Sequence, residues 1–495
     1  MKRVFELAGA AAAAGILGCL GCGGGAPVTP DLGPSTFKVS ITGVNGGAPP
    51  DVAAPLSALV GLGPNVWDFT IEAVSPTGEP APSFHGFVHL SVQPGAVDGI
   101  DAPGASGRSV PLVDGKASGK VHVEAVYGPA RLWVDDLGYA LAPPGKVPAC
   151  SDGKDNNGNG LIDFPADPGC AFADDDSEDG GSYSTGVSPA VQYDLPKISD
   201  VRGAPLGVKT PYRANGVDIK TGAPETLVVT RVTSNGFYVT DVSPTEQMNG
   251  NNSVFAFYFA TPPGMRVCDT LTSLAGTAND FFGFTEISFP SWTLTPLLKG
   301  QGTCQVPEPV LLGPCKTGDT CPILVSNGPA MQKIESSLVR LEGFTIAANF
   351  GPQLAVNNAF KANQSNCDFN GNGKIDFTDP LEGPCATTCD ADPTCSEWTS
   401  FSGRNTYKVS NGAAMILIDT STVANFDPTA NRGQVLTAAT GTVRKFSGGT
   451  LNWTLEVRCP DDLVCVAPGC VVAPVSSQTA CVSLRSVGDN NAGSD

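Results

Sequence analysis

Apolar and polar residues alternate in short runs along most of the chain. In Val66 to Ala73, Trp67, Phe69, Ile71 and Ala73 share one face while Asp68, Thr70 and Glu72 share the other. A period of two is the mark of a half-buried strand. The same alternation runs through Phe37-Val39-Ile41, Val88-Leu90-Val92, Val121-Val123-Ala125 and Leu132-Val134, with Pro-Thr-Gly, Pro-Gly and Asp-Gly turns between them. Strands of this length and spacing predict a β-sandwich over residues 36–145. His85 and His89 fall on one strand face opposite Val88, Leu90 and Val92, and His122 faces away from Val121 and Val123, so all three are expected to meet solvent.

A second β-rich region follows. Leu227 to Thr230 and Phe237 to Thr240 read as strands joined by Thr233-Ser234-Asn235-Gly236, the Asn-Gly signal of a tight hairpin. Val254 to Phe259, Ser337 to Gly343, Met415 to Ile418 and Leu451 to Val457 follow as further strands, the apolar run Phe255-Phe257-Phe259 being expected in a core. The run VDGKASGKVHVEAVYGPARLWVDD resembles the end of bacterial surface immunoglobulin-like repeats. VTRVTSNGFYVTD, SSLVRLEGFTI and TGTVRKF with LNWTLEVRCPDDL resemble the OB-like barrels appended to secreted bacterial nucleases. The expected architecture is therefore mainly β: an immunoglobulin-like sandwich, then OB-like domains at 191–314 and 315–485, with inserted calcium loops. A plain sandwich is the alternative for the C-terminal part.

Two polar stretches interrupt the alternation: Cys150 to Cys170, and Cys367 to Cys385 within the segment 367–395. Oxygen-bearing side chains stand at alternate positions in each, followed by Gly and an apolar residue. Calcium takes six to eight oxygens, and a twelve-residue loop gathers them at positions 1, 3, 5, 7, 9 and 12 with Gly at 6. The second stretch supplies Asp368, Asn370, Asn372, the Lys374 carbonyl, Asp376 and Asp379, with Gly373 at the turn and Ile375 as apolar anchor. The first supplies Asp155, Asn157, Asn159, the Leu161 carbonyl and Asp163, with Ile162 as anchor, Ala166 at position twelve and Asp167 one residue late. The second resembles dockerin loops and the first resembles thrombospondin type 3 repeats. An ion-free Asx/Gly turn is the alternative for both. Asp174 to Asp179 follows as an acidic run, expected as a solvated part of the linker 146–190.

Met1 to Cys22 reads as an export signal, with Lys2 and Arg3 before the apolar Leu7 to Leu17. Ile16-Leu17-Gly18-Cys19 resembles the lipobox of bacterial lipoproteins, which implies acylation of Cys19 and an outer-membrane or surface anchor. Cys22 and an ordinary cleaved signal are the alternatives. Residues 23–35 form a Gly/Pro tether. The 16 cysteines agree with an oxidising compartment. Sequence leaves their connectivity open, and the most local pairing is Cys150/Cys170, Cys268/Cys304, Cys315/Cys321, Cys367/Cys385, Cys389/Cys395, Cys459/Cys465 and Cys470/Cys481.

The chain carries 48 acidic and 29 basic residues, a net charge of −19, which disfavours a phosphate backbone as partner. Carbohydrate or protein ligands suit that surface better. No His follows His122, so a Ser/His/Asp triad is excluded from the C-terminal part. The expected function is a non-catalytic, calcium-stabilised surface scaffold or adhesion module that meets the membrane through its lipid. The alternative is an accessory protein or hydrolase acting on extracellular polymer.

Overall fold

The computed structural model describes residues 35–181, 183–203, 210, 212, 216–313, 323–347, 404–411, 415–445 and 453–486. Strands β1 (Thr36–Val44), β2 (Asn65–Val74), β3 (Phe87–Gln93), β4 (Ala96–Asp101), β5 (Ser109–Pro111), β6 (Lys116–Glu124), β7 (Pro129–Asp136), β8 (Gly186–Val187) and β9 (Val191–Gln192) build the sandwich. One sheet runs β1-β2-β6-β4 and the other β5-β3-β7-β8, with β9 also paired to β7. The alternation places Trp67, Phe69, Ile71, Val121 and Val123 against Val88, Leu90, Val92, Leu132 and Val134 in one core. Ile41 is only partly buried, because a bulge between Ile41 and Gly43 interrupts the period of two. The sandwich also draws on chain beyond residue 145. β8 and β9 return to β7 after the Cys150–Cys170 loop, and Trp67 Nε1 donates to the Tyr193 hydroxyl at 3.0 Å inside the core. That loop is an insertion between β7 and β8.

Two closed barrels follow. The first contains β10 (Gly216–Asp218), β11 (Leu227–Thr233), β12 (Gly236–Asp241), β13 (Ser253–Phe257), β14 (Thr270–Phe281) and β15 (Phe284–Thr295). Its closed path is β11-β12-β13-β15-β14 and back to β11, with β13 and β15 parallel and β10 added outside β14. The second contains β16 (Val310–Leu312), β17 (Leu338–Ile346), β18 (Thr406–Ser410), β19 (Met415–Asp419), β20 (Val435–Lys445), β21 (Trp453–Val457) and β22 (Leu463–Val464). Its path, β17-β18-β19-β21-β20 and back to β17 with β19 and β21 parallel, repeats the first. Both are OB-like, five strands closed in one order. Phe237, Val239, Val254, Ala256 and Ile287 fill the first barrel, and Val339, Phe344, Tyr407, Ile418, Trp453 and Leu455 fill the second.

Phe255, Phe257 and Phe259 do not enter the barrel core, contrary to the expectation from their run. Val254 and Ala256 take the inward register, and the phenylalanines stand on the outer face. Four disulfides lie among the described residues: Cys150–Cys170, Cys268–Cys304, Cys459–Cys481 and Cys465–Cys470. The last two correct the local pairing of Cys459 with Cys465 and Cys470 with Cys481. The turn after β22 brings Cys465 and Cys470 to a Cα separation of 5.3 Å, and the chain then returns Cys481 to Cys459. Among the described residues no helix is long and apolar enough to cross a membrane.

Candidate functional sites: the disulfide-closed loop and the interbarrel cleft

The loop of residues 150–181 is wired into the sandwich by its own acids. The acidic run is not a solvated linker, because Asp175 and Glu178 are buried. Asp175 accepts from the backbone N–H groups of Ala140, Ala171 and Ser177, and Asp176 accepts from Ala149 N–H. Glu178 accepts from the N–H of Asn156 at 2.5 Å and of Asn157 at 3.3 Å. Gly169 permits this closure, since a Cβ there would lie 1.7 Å from the Glu178 carbonyl oxygen.

The five ligands read from the sequence divide into two groups. The Asn157 and Asn159 amides meet on the buried Asp167 carboxylate at 3.1–3.2 Å, and Asn157 also reaches the Glu178 carbonyl at 2.6 Å. Asp155 instead accepts from the N–H groups of Gly158, Asn159 and Gly160, and Asp163 accepts from Gly153 N–H. Leu161 and its anchor Ile162 are exposed. Half a turn of each amide would present Oδ1 to this point, at the cost of the bonds that Oδ1 now accepts from the Asn159 N–H at 2.9 Å and the Leu161 N–H at 2.7 Å. The two Asp167 oxygens, two amide oxygens and the Glu178 carbonyl could then hold a hard cation, with water completing the shell. Glu178 escaped sequence reading because it lies outside the cysteine pair; only the acidic run hinted at it. Asp368, Asn370, Asn372, Lys374, Asp376, Asp379, the Cys367/Cys385 pair and Cys19 lie outside the described residues. Cys459, Asp462 and Cys481 also lie close together, but both thiols are consumed by their disulfide and Asp462 is held by Arg458 at 2.6 and 3.0 Å.

The second site forms where the barrels meet. A bulge between Val229 and Arg231 re-aims the strand, so that Arg231 pairs with Tyr238 on the outer face instead of following Val229 inward. Arg231 donates to the Glu456 carboxylate at 2.5 Å and to Thr442 Oγ1 at 2.8 Å, and Tyr238 donates to Glu456 at 3.0 Å. Opposite stand Thr442, Glu456 and Asp419, placed in one row by the registers of β20, β21 and β19. Arg444 lies over the Phe255 and Phe284 rings at 5.8 and 5.0 Å and 3.8 Å from Glu456. Burial raises the Asp419 carboxyl above the usual range and Glu456's charge adds to this, while hydrogen bonds from Ser421 and the charge of Arg231 oppose it. Burial likewise raises the Tyr238 phenol.

Between these residues a cleft of about 510 Å³ stays open, lined further by Thr233, Ser234, Asn235, Thr261, Ser421 and Thr422. A groove of about 460 Å³ on the sandwich is lined by aliphatic side chains, Thr70, Ser118, Glu72 and Lys116, without an aromatic ring. The barrels are also clamped deeper down. Arg202, at the end of the short helix Ile198–Arg202, donates to the carbonyls of Ser253, Gln332 and Glu335 while lying 3.6 Å from the Glu335 carboxylate.

No family model matches the chain, and no curated protein matches it. Among solved structures, the chain is similar to the crystal structure of dimeric latent PorU from Porphyromonas gingivalis, at 13% identity and a TM-score of 0.15. That match covers 54% of this chain and 24% of the other, so the chain spans about a quarter of that protein's length, and the likeness carries no argument.

Proposed function

We propose that the chain is a non-catalytic, calcium-stabilised lipoprotein of the cell surface, anchored through Cys19 and acting as a scaffold or binding module. The observation that carries the reading is the insertion of the disulfide-closed loop between β7 and β8, with Asn157, Asn159, Asp167 and the Glu178 carbonyl converging inside it. Calcium would supply positive charge at this convergence and lock the inserted loop against the sheet. The disulfides support an exported chain. Support for a non-catalytic role comes from Glu456, whose carboxylate is held in contacts with Arg231, Tyr238 and Arg444 between the barrels. Extracellular calcium sites bind in the 10⁻⁴–10⁻³ M range, so about 10 mM calcium should add roughly 1.5–3 kcal/mol. The test is a thermal melt in calcium and in chelator. Wild type should melt a few degrees higher in calcium, and Asp167→Asn should lose most of that rise. Superimposable melts would sink the calcium staple.

A further inference from the structure

We infer that the interbarrel cleft binds a short stretch of a neutral polysaccharide, a reading that rests on the binding-module half of the proposed function. The charge of the lining selects the class. Arg231 and Arg444 face Asp419 and Glu456, two cations against two carboxylates, with Arg231 and Glu456 paired at 2.5 Å. A phosphate or a uronate brought here would meet the carboxylates, and an ammonium group would meet the guanidiniums. A sugar hydroxyl both donates and accepts, so it can use either sign without leaving a charge unpaired. The planar edges of guanidinium and carboxylate groups also match adjacent hydroxyls in pairs. The rest of the polar lining is uncharged, with hydroxyls from Thr233, Ser234, Thr261, Ser421 and Thr422 and the Asn235 amide.

An aromatic ladder leads out of this cleft. Ring centroids step from Tyr238 to Phe255, Phe257, Phe259 and Phe289 at 4.8, 6.3, 4.3 and 5.3 Å. The first two rings are buried between the barrels, whereas Phe259 and Phe289 are 62% and 70% exposed. Two adjoining phenylalanines held in water cost solvation and contribute nothing to either barrel core. Their faces suit the C–H side of pyranose rings, an apolar surface with hydroxyls at its rim. A single-stranded nucleic acid would use the same rings but would need an excess of cations along the groove, and the cleft has none.

The test is calorimetric titration of the full chain with neutral hexasaccharides of an α-glucan, a β-glucan and a β-mannan. Hexagalacturonate and a twelve-residue oligothymidylate serve as the anionic arms. At least one neutral hexasaccharide should bind saturably. Ser234→Trp, at an exposed edge of the cleft, should abolish that binding, and Phe259→Ala with Phe289→Ala should weaken it about tenfold, the loss of roughly 1.4 kcal/mol of stacking. Thermal melts of these variants should match wild type. No binding of any neutral hexasaccharide, binding unchanged by Ser234→Trp, or binding confined to the anionic arms would each overturn the inference. The calcium melt reads the sandwich loop and this titration reads the cleft, so either can fail while the other stands.

Discussion

The two barrels share a strand order and differ in almost everything outside it. Strands β11 and β12 are joined by the tight Ser234-Asn235 turn, whereas β17 and β18 of the second barrel are separated in sequence by residues 347–405, which include the Asx/Gly stretch from Asp368 to Asp379. The outer face of the first barrel is aromatic: Tyr238, Phe255, Phe257 and Phe284. The facing surface of the second is polar and charged: Thr442, Arg444, Thr454 and Glu456. Closure dictates only the inward register, because every second residue must fill the barrel. The outward register and the connections remain free to diverge, and here they diverge into complementary halves of one interface. The same fold thus serves once as an aromatic platform and once as its polar cover.

The largest blow to that pairing should come from Arg202→Ala. It removes three hydrogen bonds to carbonyls and leaves Glu335 buried without its cation, a loss of about 3–5 kcal/mol. Chemical denaturation should show the midpoint falling, and a wild-type midpoint would mean that the clamp does not couple the barrels. Tyr238→Phe tests the outer face more gently. Losing its hydrogen bond to the Glu456 carboxylate should cost about 1.5–3 kcal/mol, with both barrel cores intact. An unchanged melt would show the interface to be held by ring packing alone.

The smallest expected effect concerns Asp419. Its folded pKa is raised by burial, so the folded chain keeps a proton over a window where the unfolded chain has released it. That contribution is complete below the unfolded value and is lost as pH rises through the folded one. Asp419→Asn should therefore flatten the fall in stability with rising pH and be more stable than wild type at pH 7. A pH profile of melting temperature identical to wild type would show the carboxyl to be hydrated in solution.

Where strands alternate cleanly, as at Trp67 to Ala73 or Trp453 to Val457, their inward faces were legible from residue order. β14 and β15 were not. Bulges between Leu271 and Ser273 and between Ala275 and Thr277 shift the phase, and Gly276 sits where a Cβ would lie 2.5 Å from Ile287 Cγ2. The loop was recognisable by its Asx/Gly spacing, but Glu178 was not, since nothing in sequence ties it to Asn157 twenty-one residues earlier.

What the sequence determined by itself was the class of the protein: mainly β, cysteine-bonded and acidic, with two oxygen-rich stretches. These follow from local rules, the period of two in a pleated strand and the turn preferences of Gly, Asn and Asp. Only the tertiary structure decided the rest. It nested the Cys465–Cys470 bond within Cys459–Cys481, returned β8 and β9 to the sandwich, and turned Phe255 from core residue to interface. Each depends on which distant segment arrives alongside, and side-chain patterning along one strand says which face is apolar but not what will cover it.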